Sequence, residues 1–289
     1  MLSLIICSRT PKISDDLEKN IAETIGCEYE LVVIDNSKNR YSIFSAYNEG
    51  VRRAKGNNLC FMHDDILYKT PNWGMQVEKK LEGESIGIVG VIGSYVMTKD
   101  YGYWDMMAPW VTGCVVVNEE GQIFNFDVYN DFTGGSSEVA MLDGMWLCCR
   151  RKIFEKISFD EQTYSGFHMY DMDICMQSLM FGYINVVIRN IDIRHYGNVC
   201  YSMSFCSGLE SFHKKWNEKL PICRGLSVNK YLLDTFDLHL QYHYVFLHNS
   251  NRYWNSYLSI SKSHAYKLGC FLLCPIYLIK KILNRLRCR

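Results

Sequence analysis

The sequence predicts an α/β fold in which a mostly parallel central sheet is flanked by helices. Three observations predict it. The first 62 residues alternate short apolar runs with amphipathic segments in the order strand, helix, strand, helix, strand. Each of the three runs ends in polar residues: Ser8-Arg9, Asp35-Asn36 and His63-Asp64-Asp65. In a parallel sheet those three sets share one edge, the edge where open α/β sheets bind ligands. Finally, 289 residues at 48% hydrophobic and 21% charged suffice for one large α/β domain with an appendage, or for two small domains.

The elements follow in order. Leu2 to Cys7 is an apolar run that stops at the turn Ser8-Arg9-Thr10-Pro11. Ile13, Leu17, Ile21 and Ile25 recur every four residues, which fits one face of a helix over 13–25. A strand over Tyr29 to Ile34 ends at Asp35-Asn36-Ser37, a helix covers Ile43 to Ala54, and a third strand covers Asn57 to Met62. Asp35 reads either as an acceptor for a nucleotide base or ribose, or as an Asx-turn closing its strand.

Leu59-Cys60-Phe61-Met62-His63-Asp64-Asp65-Ile66 is the stretch around which the rest is organised. An apolar run enters two adjacent carboxylates, which repel each other and lose hydration at a strand end. A divalent cation holding a diphosphate would compensate them. The alternative is that the acids cap the helix that starts near Pro71-Asn72-Trp73, several residues on.

Gly87 to Gly93 reads as one buried strand with close backbone approach, and Val111 to Val117 as another. Trp104 and Trp110 either line a sugar-binding cleft or belong to the core. Phe132 to Ser137 reads as a loop, Val139 to Gly144 as a short run ending in Asp143 and Gly144, and Arg150 to Ile157 as a helix. Asp171 and Asp173 then stand two residues apart at a helix start, where they do not share a face. Asp173 is assigned the cap and Asp171 the functional role. A helix to Phe181 and a strand over Tyr183 to Ile188 lead to Ile193-Arg194-His195. His195 reads either as a structural histidine or as a ligand beside the divalent site.

Composition excludes several classes. Lys plus Arg equal Asp plus Glu at 31 each, so a general nucleic-acid binder is not expected. There is no GxGxxG after the first strand and no GxxxxGK[ST], which argues against a dinucleotide-binding Rossmann domain and a P-loop NTPase. The 13 cysteines are odd in number, form no CxxC pair and fall largely in apolar runs, so they are expected as free buried thiols. Met1 to Ile6 has no charged leader region or cleavage site, and the expected compartment is the reducing cytosol.

Taken as an ordered set, these residues carry a resemblance. The set is Ser8-Arg9, Val33-Ile34-Asp35-Asn36-Ser37, Ala46-Tyr47-Asn48-Glu49-Gly50, Phe61-Met62-His63-Asp64-Asp65, Leu142-Asp143-Gly144, Phe167-His168-Met169-Tyr170-Asp171-Met172-Asp173 and His195. Over roughly residues 1 to 221 the chain resembles the glycosyltransferase family 2 group with the GT-A fold, in particular a bacterial glycosyltransferase-like branch with an FHxYDxD element. The resemblance implies a nucleotide-sugar donor, UDP-linked by preference, bound through Ser8, Arg9, Asp35 and Asp64. It implies Mn²⁺ or Mg²⁺ at Asp65 and His195, and Asp171 as catalytic base. Asp143, Gly144, Trp104 and His168 would lie near the donor sugar or acceptor. The family's DxD begins here with His63, and Tyr170 takes the place of a Glu. An imidazole ligand leans the metal toward manganese.

After Leu226 the composition shifts, and no Asp or Glu follows Asp237. Leu268 to Ile279 is apolar but about half the length of a membrane span, and it is followed by Lys280, Lys281, Arg285, Arg287 and Arg289. The expectation is a GT-A domain over 1–225 and a helical extension over 226–289 that binds a membrane surface or an oligomer partner. The expected protein is thus an inverting glycosyltransferase of surface polysaccharide or glycoconjugate assembly. It would be cytoplasmic, peripheral on the inner face of the cytoplasmic membrane, and act on a saccharide or lipid-linked acceptor. The alternative is a GT-A-like module that binds nucleotide-sugar without turnover.

Overall fold

The computed structural model describes residues 1–99, 102–103, 110–117, 122–126, 135–197, 203–229 and 233. Trp104 and nearly all of the 226–289 extension lie outside the described residues, with only 226–229 and 233 inside.

The N-terminal half runs β1 (Leu2–Ser8), α1 (Asp15–Thr24), β2 (Tyr29–Asp35), α2 (Ile43–Arg53), β3 (Asn58–Met62), β4 (Ile66–Tyr68), α3 (Trp73–Leu81), β5 (Ile86–Gly90), β6 (Ile92–Ser94) and β7 (Val96–Met97). Then come β8 (Val111–Val117), β9 (Gln122–Phe126), β10 (Ser136–Val139), β11 (Met141–Leu142), β12 (Trp146–Arg150), α4 (Tyr170–Met180), β13 (Ile184–Ile188), β14 (Ile193–His195), α5 (Met203–Trp216) and β15 (Ile222–Cys223).

The helix boundaries follow from local chemistry. Ser14 caps α1 by accepting the Leu17 N–H at 3.2 Å, and Asp15, Asp16 and Glu18 complement the positive end of the helix dipole. Ser42 caps α2 in the same way through the Ser45 N–H. Leu17 and Ile21 are the buried stripe of α1. Gly50 lets α2 approach β1, because a Cβ there would stand 2.2 Å from Ile5 Cγ2.

The main sheet has seven strands in the order β10-β13-β5-β12-β3-β1-β2. β2, β1 and β3 are parallel, as are β5 and β13, while β12 is antiparallel to both β3 and β5, and β10 to β13. Five strands therefore run one way and two the other. A second sheet of six strands holds β11, β6, β8, β14 and β4, with β9 on β8. Leu4, Ile5, Ile6, Phe61 and Trp146 are fully or almost fully buried in the core.

Several expectations are corrected here. Gly87 to Gly93 is two strands in different sheets, β5 and β6, not one. The expected loop over 132–137 overlaps strand β10 at Ser136 and Ser137, while 132–134 lie outside the described residues. The expected helix over 150–157 is a 3-10 turn, Arg151–Glu155, behind strand β12. Other expectations hold: Trp110 takes the core reading at 3% exposed, and the described cysteines, Cys7, Cys60, Cys148, Cys149 and Cys175 among them, are free.

Candidate active site

The strand ends converge as their parallel pairing requires. Ser8 is the register partner of Asp35 across β1 and β2, and Ile6 is that of Met62 across β1 and β3. Ser8 Oγ donates to Asp64 Oδ2 at 3.0 Å, so two of the expected donor-binding residues touch. Arg9 is exposed beside them. Asp35 is exposed, and its Oδ1 accepts the Ser37 N–H at 2.9 Å; the Ser37 side chain, then that N–H, hold its carboxyl below the usual carboxylate range. It forms the Asx-turn, and its exposure leaves it accessible at the same edge. Neither Asp64 nor Asp65 caps α3, whose N-cap is Asn72.

Asp65 meets two imidazoles. One ligand atom from each of His63, Asp65 and His195 lies within 4.8 Å of the others. His63 Nδ1 is 3.4 Å from His195 Nε2. Asp65 Oδ1 is 3.3 Å from His195 Nε2 and 3.8 Å from His63 Nδ1. That oxygen is buried and makes no hydrogen bond of good geometry. A buried carboxylate oxygen left open in this way is costly unless something pairs with it. Two nitrogen donors and one oxygen donor facing one another fit a divalent transition cation.

Electrostatics treat the two imidazoles differently. Burial, with the neighbouring His195, pushes His63 down to about 4, so its ring is neutral and able to ligate at neutral pH. For His195 burial pulls downward, but contact with Asp65 and the charges of Asp143 and Asp65 outweigh it, and the net shift is upward. Burial likewise pushes Asp65 upward, yet the two imidazoles outweigh it and hold the carboxyl low. Close packing completes the pocket wall: a Cβ at Gly197 would stand 2.7 Å from His195 Nε2.

Asp171 lies in the first turn of α4 and is 1% exposed. Its Oδ2 accepts the Tyr103 phenol at 2.9 Å, and its Oδ1 accepts the Met172 N–H at 2.9 Å. Burial, then the charge of Asp143, pushes it up to about 7 against those two bonds. The charge of Asp143 acts on both Asp171 and His195. Its Oδ1 accepts the Met145 N–H at 2.8 Å. Gly144 beside it leaves room for Tyr170, since a Cβ would stand 2.3 Å from the phenol oxygen. His168 is half-buried, edge-on to Phe205, and burial lowers its pKa.

Asp173 does not cap α4. The N-cap is Met169 in a left-handed conformation with no side-chain bond. The Asp173 carboxylate instead accepts from Tyr164 at 3.2 Å, Gln177 at 2.7 Å and Trp216 at 2.8 Å, and pairs with Lys215 at 2.8 Å.

Three residues at the site have no role in the sequence reading. His63 stood there as a departure from the acidic pattern, yet it completes the cluster. Tyr170 stood as another departure, and its phenol lies 2.8 Å from His63 Nε2, so the two departures touch. Tyr103 had no signal at all, because nothing in its local sequence points to a buried carboxylate 68 residues away.

Solved structures of three proteins are similar to this chain. A solved structure of GalNAc-T7 with UDP, GalNAc and Mn²⁺ has a TM-score of 0.52 at 10% identity, covering 75% of this chain and 49% of that one. This chain thus spans about half the length of that protein. TarS from S. aureus gives a TM-score of 0.48 at 11% identity, covering 91% of this chain and 46% of that one. A197 from STIV gives 0.41 at 12% identity, covering 79% and 96%. No curated protein matches the chain. The likeness to GalNAc-T7 is one of fold, and the fold is GT-A. Residues 3–214 match the model described as a glycosyltransferase-like family, and the chain belongs to that family.

Proposed function

We propose that the protein transfers a sugar from a nucleoside diphosphate donor, UDP-linked by preference, to a hydroxyl of a saccharide or lipid-linked acceptor with inversion. The observation that carries the reading is the pairing of an open His63–Asp65–His195 cluster with a separate buried carboxyl, Asp171, raised to about 7. His63, Asp65 and His195 would hold Mn²⁺ or Mg²⁺, which when bound would supply positive charge to a diphosphate. Between these two, the nitrogen-rich donor set favours manganese over magnesium.

The chain's own groups then divide the work. Ser8, Arg9, Asp35 and Asp64 line the strand edge expected to take the nucleotide. Asp171 takes the proton of the acceptor hydroxyl as the hydroxyl attacks the anomeric carbon. A base that titrates near neutrality is matched to that task. The C–O bond to the acceptor forms as the bond to the diphosphate oxygen breaks, on opposite faces of the sugar. Asp143, Gly144, His168 and Trp104 are proposed to orient the donor sugar or acceptor. Among the described residues no helix is long and apolar enough to cross a membrane. The basic end of the 226–289 extension is the segment proposed to meet a membrane surface.

The test is a thermal-unfolding panel of UDP, GDP, CMP and dTDP, each with and without Mn²⁺, on wild type and Asp65→Ala. A nucleotide at 100 times its dissociation constant should stabilise the fold by about 2.7 kcal/mol. Metal-dependent stabilisation by one diphosphate, lost in Asp65→Ala, is the expected result. No stabilisation by any nucleotide would overturn the reading. Binding without turnover of any donor sugar would support the inactive module instead.

A further inference from the structure

We propose that Tyr170 is the positioning residue for His63: its phenol oxygen accepts the His63 Nε2–H and so fixes the tautomer whose bare Nδ1 faces Asp65 and His195. The inference rests on the metal reading above and adds a group that lies outside the ligand set.

The geometry assigns one nitrogen to each side. His63 Nε2 lies 2.8 Å from the Tyr170 phenol oxygen, while Nδ1 faces the open Asp65 oxygen and His195. A neutral imidazole carries one proton. If Nδ1 held it, that nitrogen could not ligate. If Nε2 holds it, the phenol accepts it and the Nδ1 lone pair points into the cluster. A ligating histidine whose other ring nitrogen is hydrogen-bonded is oriented in this way.

A phenol oxygen accepts as well as donates. The Tyr170 ring is held in place, with the Tyr47 ring edge-on to it at 5.5 Å between centroids. It is 3% exposed, edge-on to Phe44 at 6.3 Å, and Gly144 leaves the space its oxygen needs. Asp171 follows it in the same helical turn, so one turn of α4 places both the base and the support of a ligand.

The experiment is calorimetric titration of MnCl₂ into the full chain, as wild type and as Tyr170→Phe, with thermal unfolding of both without metal. The expected result is an unfolding temperature within a few degrees of wild type and a dissociation constant for Mn²⁺ raised about 10–100-fold. An unchanged dissociation constant would overturn the proposal while leaving the metal reading intact. No Mn²⁺ binding by wild type would overturn the metal reading, and this proposal with it. Should Tyr170→Phe not fold, ¹⁵N NMR of the wild-type imidazoles decides, with the His63 signals identified by their loss in His63→Asn. A protonated Nε2 and bare Nδ1 would support the proposal, and a protonated Nδ1 would overturn it.

Discussion

Asp171 and Asp173 stand two residues apart on one helix, are equally buried, and do opposite things. Asp173 is saturated: Tyr164, Gln177, Lys215 and Trp216 converge on its two oxygens and tie α4 to α5. Asp171 is undersupplied: one phenol and one backbone N–H of its own turn oppose burial and the charge of Asp143. A buried acid whose partners match its charge holds the fold together. A buried acid whose surroundings resist its charge is poised to exchange a proton. Sequence spacing alone cannot distinguish them, because the partners come from elsewhere in the chain.

The comparison can be broken most forcefully at Asp173. Asp173→Ala leaves the Tyr164 phenol, one Gln177 amide N–H and the Trp216 indole N–H without their acceptor, while Lys215 keeps Asp160 at 2.7 Å. With three donors losing their partner it should destabilise the protein by about 3–5 kcal/mol, read by denaturant unfolding. A loss under about 1 kcal/mol would remove the structural half of the contrast.

The next effect has the opposite sign. Asp171 has a folded pKa of about 7, above that of an unfolded aspartate. Its contribution to stability is fully present below about pH 4 and is lost as pH rises through about 7. Asp171→Asn removes that loss, so at pH 8 the variant should be more stable than wild type by about 2–4 kcal/mol, and the gap should close on acidification. Equal stability at pH 8 and pH 4 would contradict the assignment.

The smallest effect sharpens the same site. Tyr103→Phe removes a donor that favours the carboxylate form of Asp171. The acidic limb of the pH profile of kcat/KM should move up by about one unit. An unmoved limb with lower overall activity would make Tyr103 a packing residue only.

Much of this was legible in the sequence where the signal is local. β1, β2 and β3 are apolar runs with polar ends, and parallel pairing brought Ser8, Asp35 and the His63–Asp65 stretch to one edge. What was not legible depends on long-range pairing. β12 hid because Leu147-Cys148-Cys149 is short and cysteine is neutral between strand and helix, and only its insertion between β3 and β5 makes it a strand. β10 hid because Ser136 and Ser137 are turn formers that here pair with Val187 and Ile188. The Asp173 cap failed because Lys215 and Trp216, 42 and 43 residues on, claim its oxygens. His63 looked like a lost acid because His195, the partner that gives its ring a role, is 132 residues away.

The most direct test of the central contrast measures sugar-nucleotide turnover per folded molecule for Asp171→Asn and Asp173→Asn side by side, in Mn²⁺ and at a temperature where both are folded. Asp171→Asn should lose about 10²–10⁴-fold, the contribution typical of a general base, while Asp173→Asn stays within a few-fold of wild type. Equal losses in the two, or the larger loss in Asp173→Asn, would contradict the account.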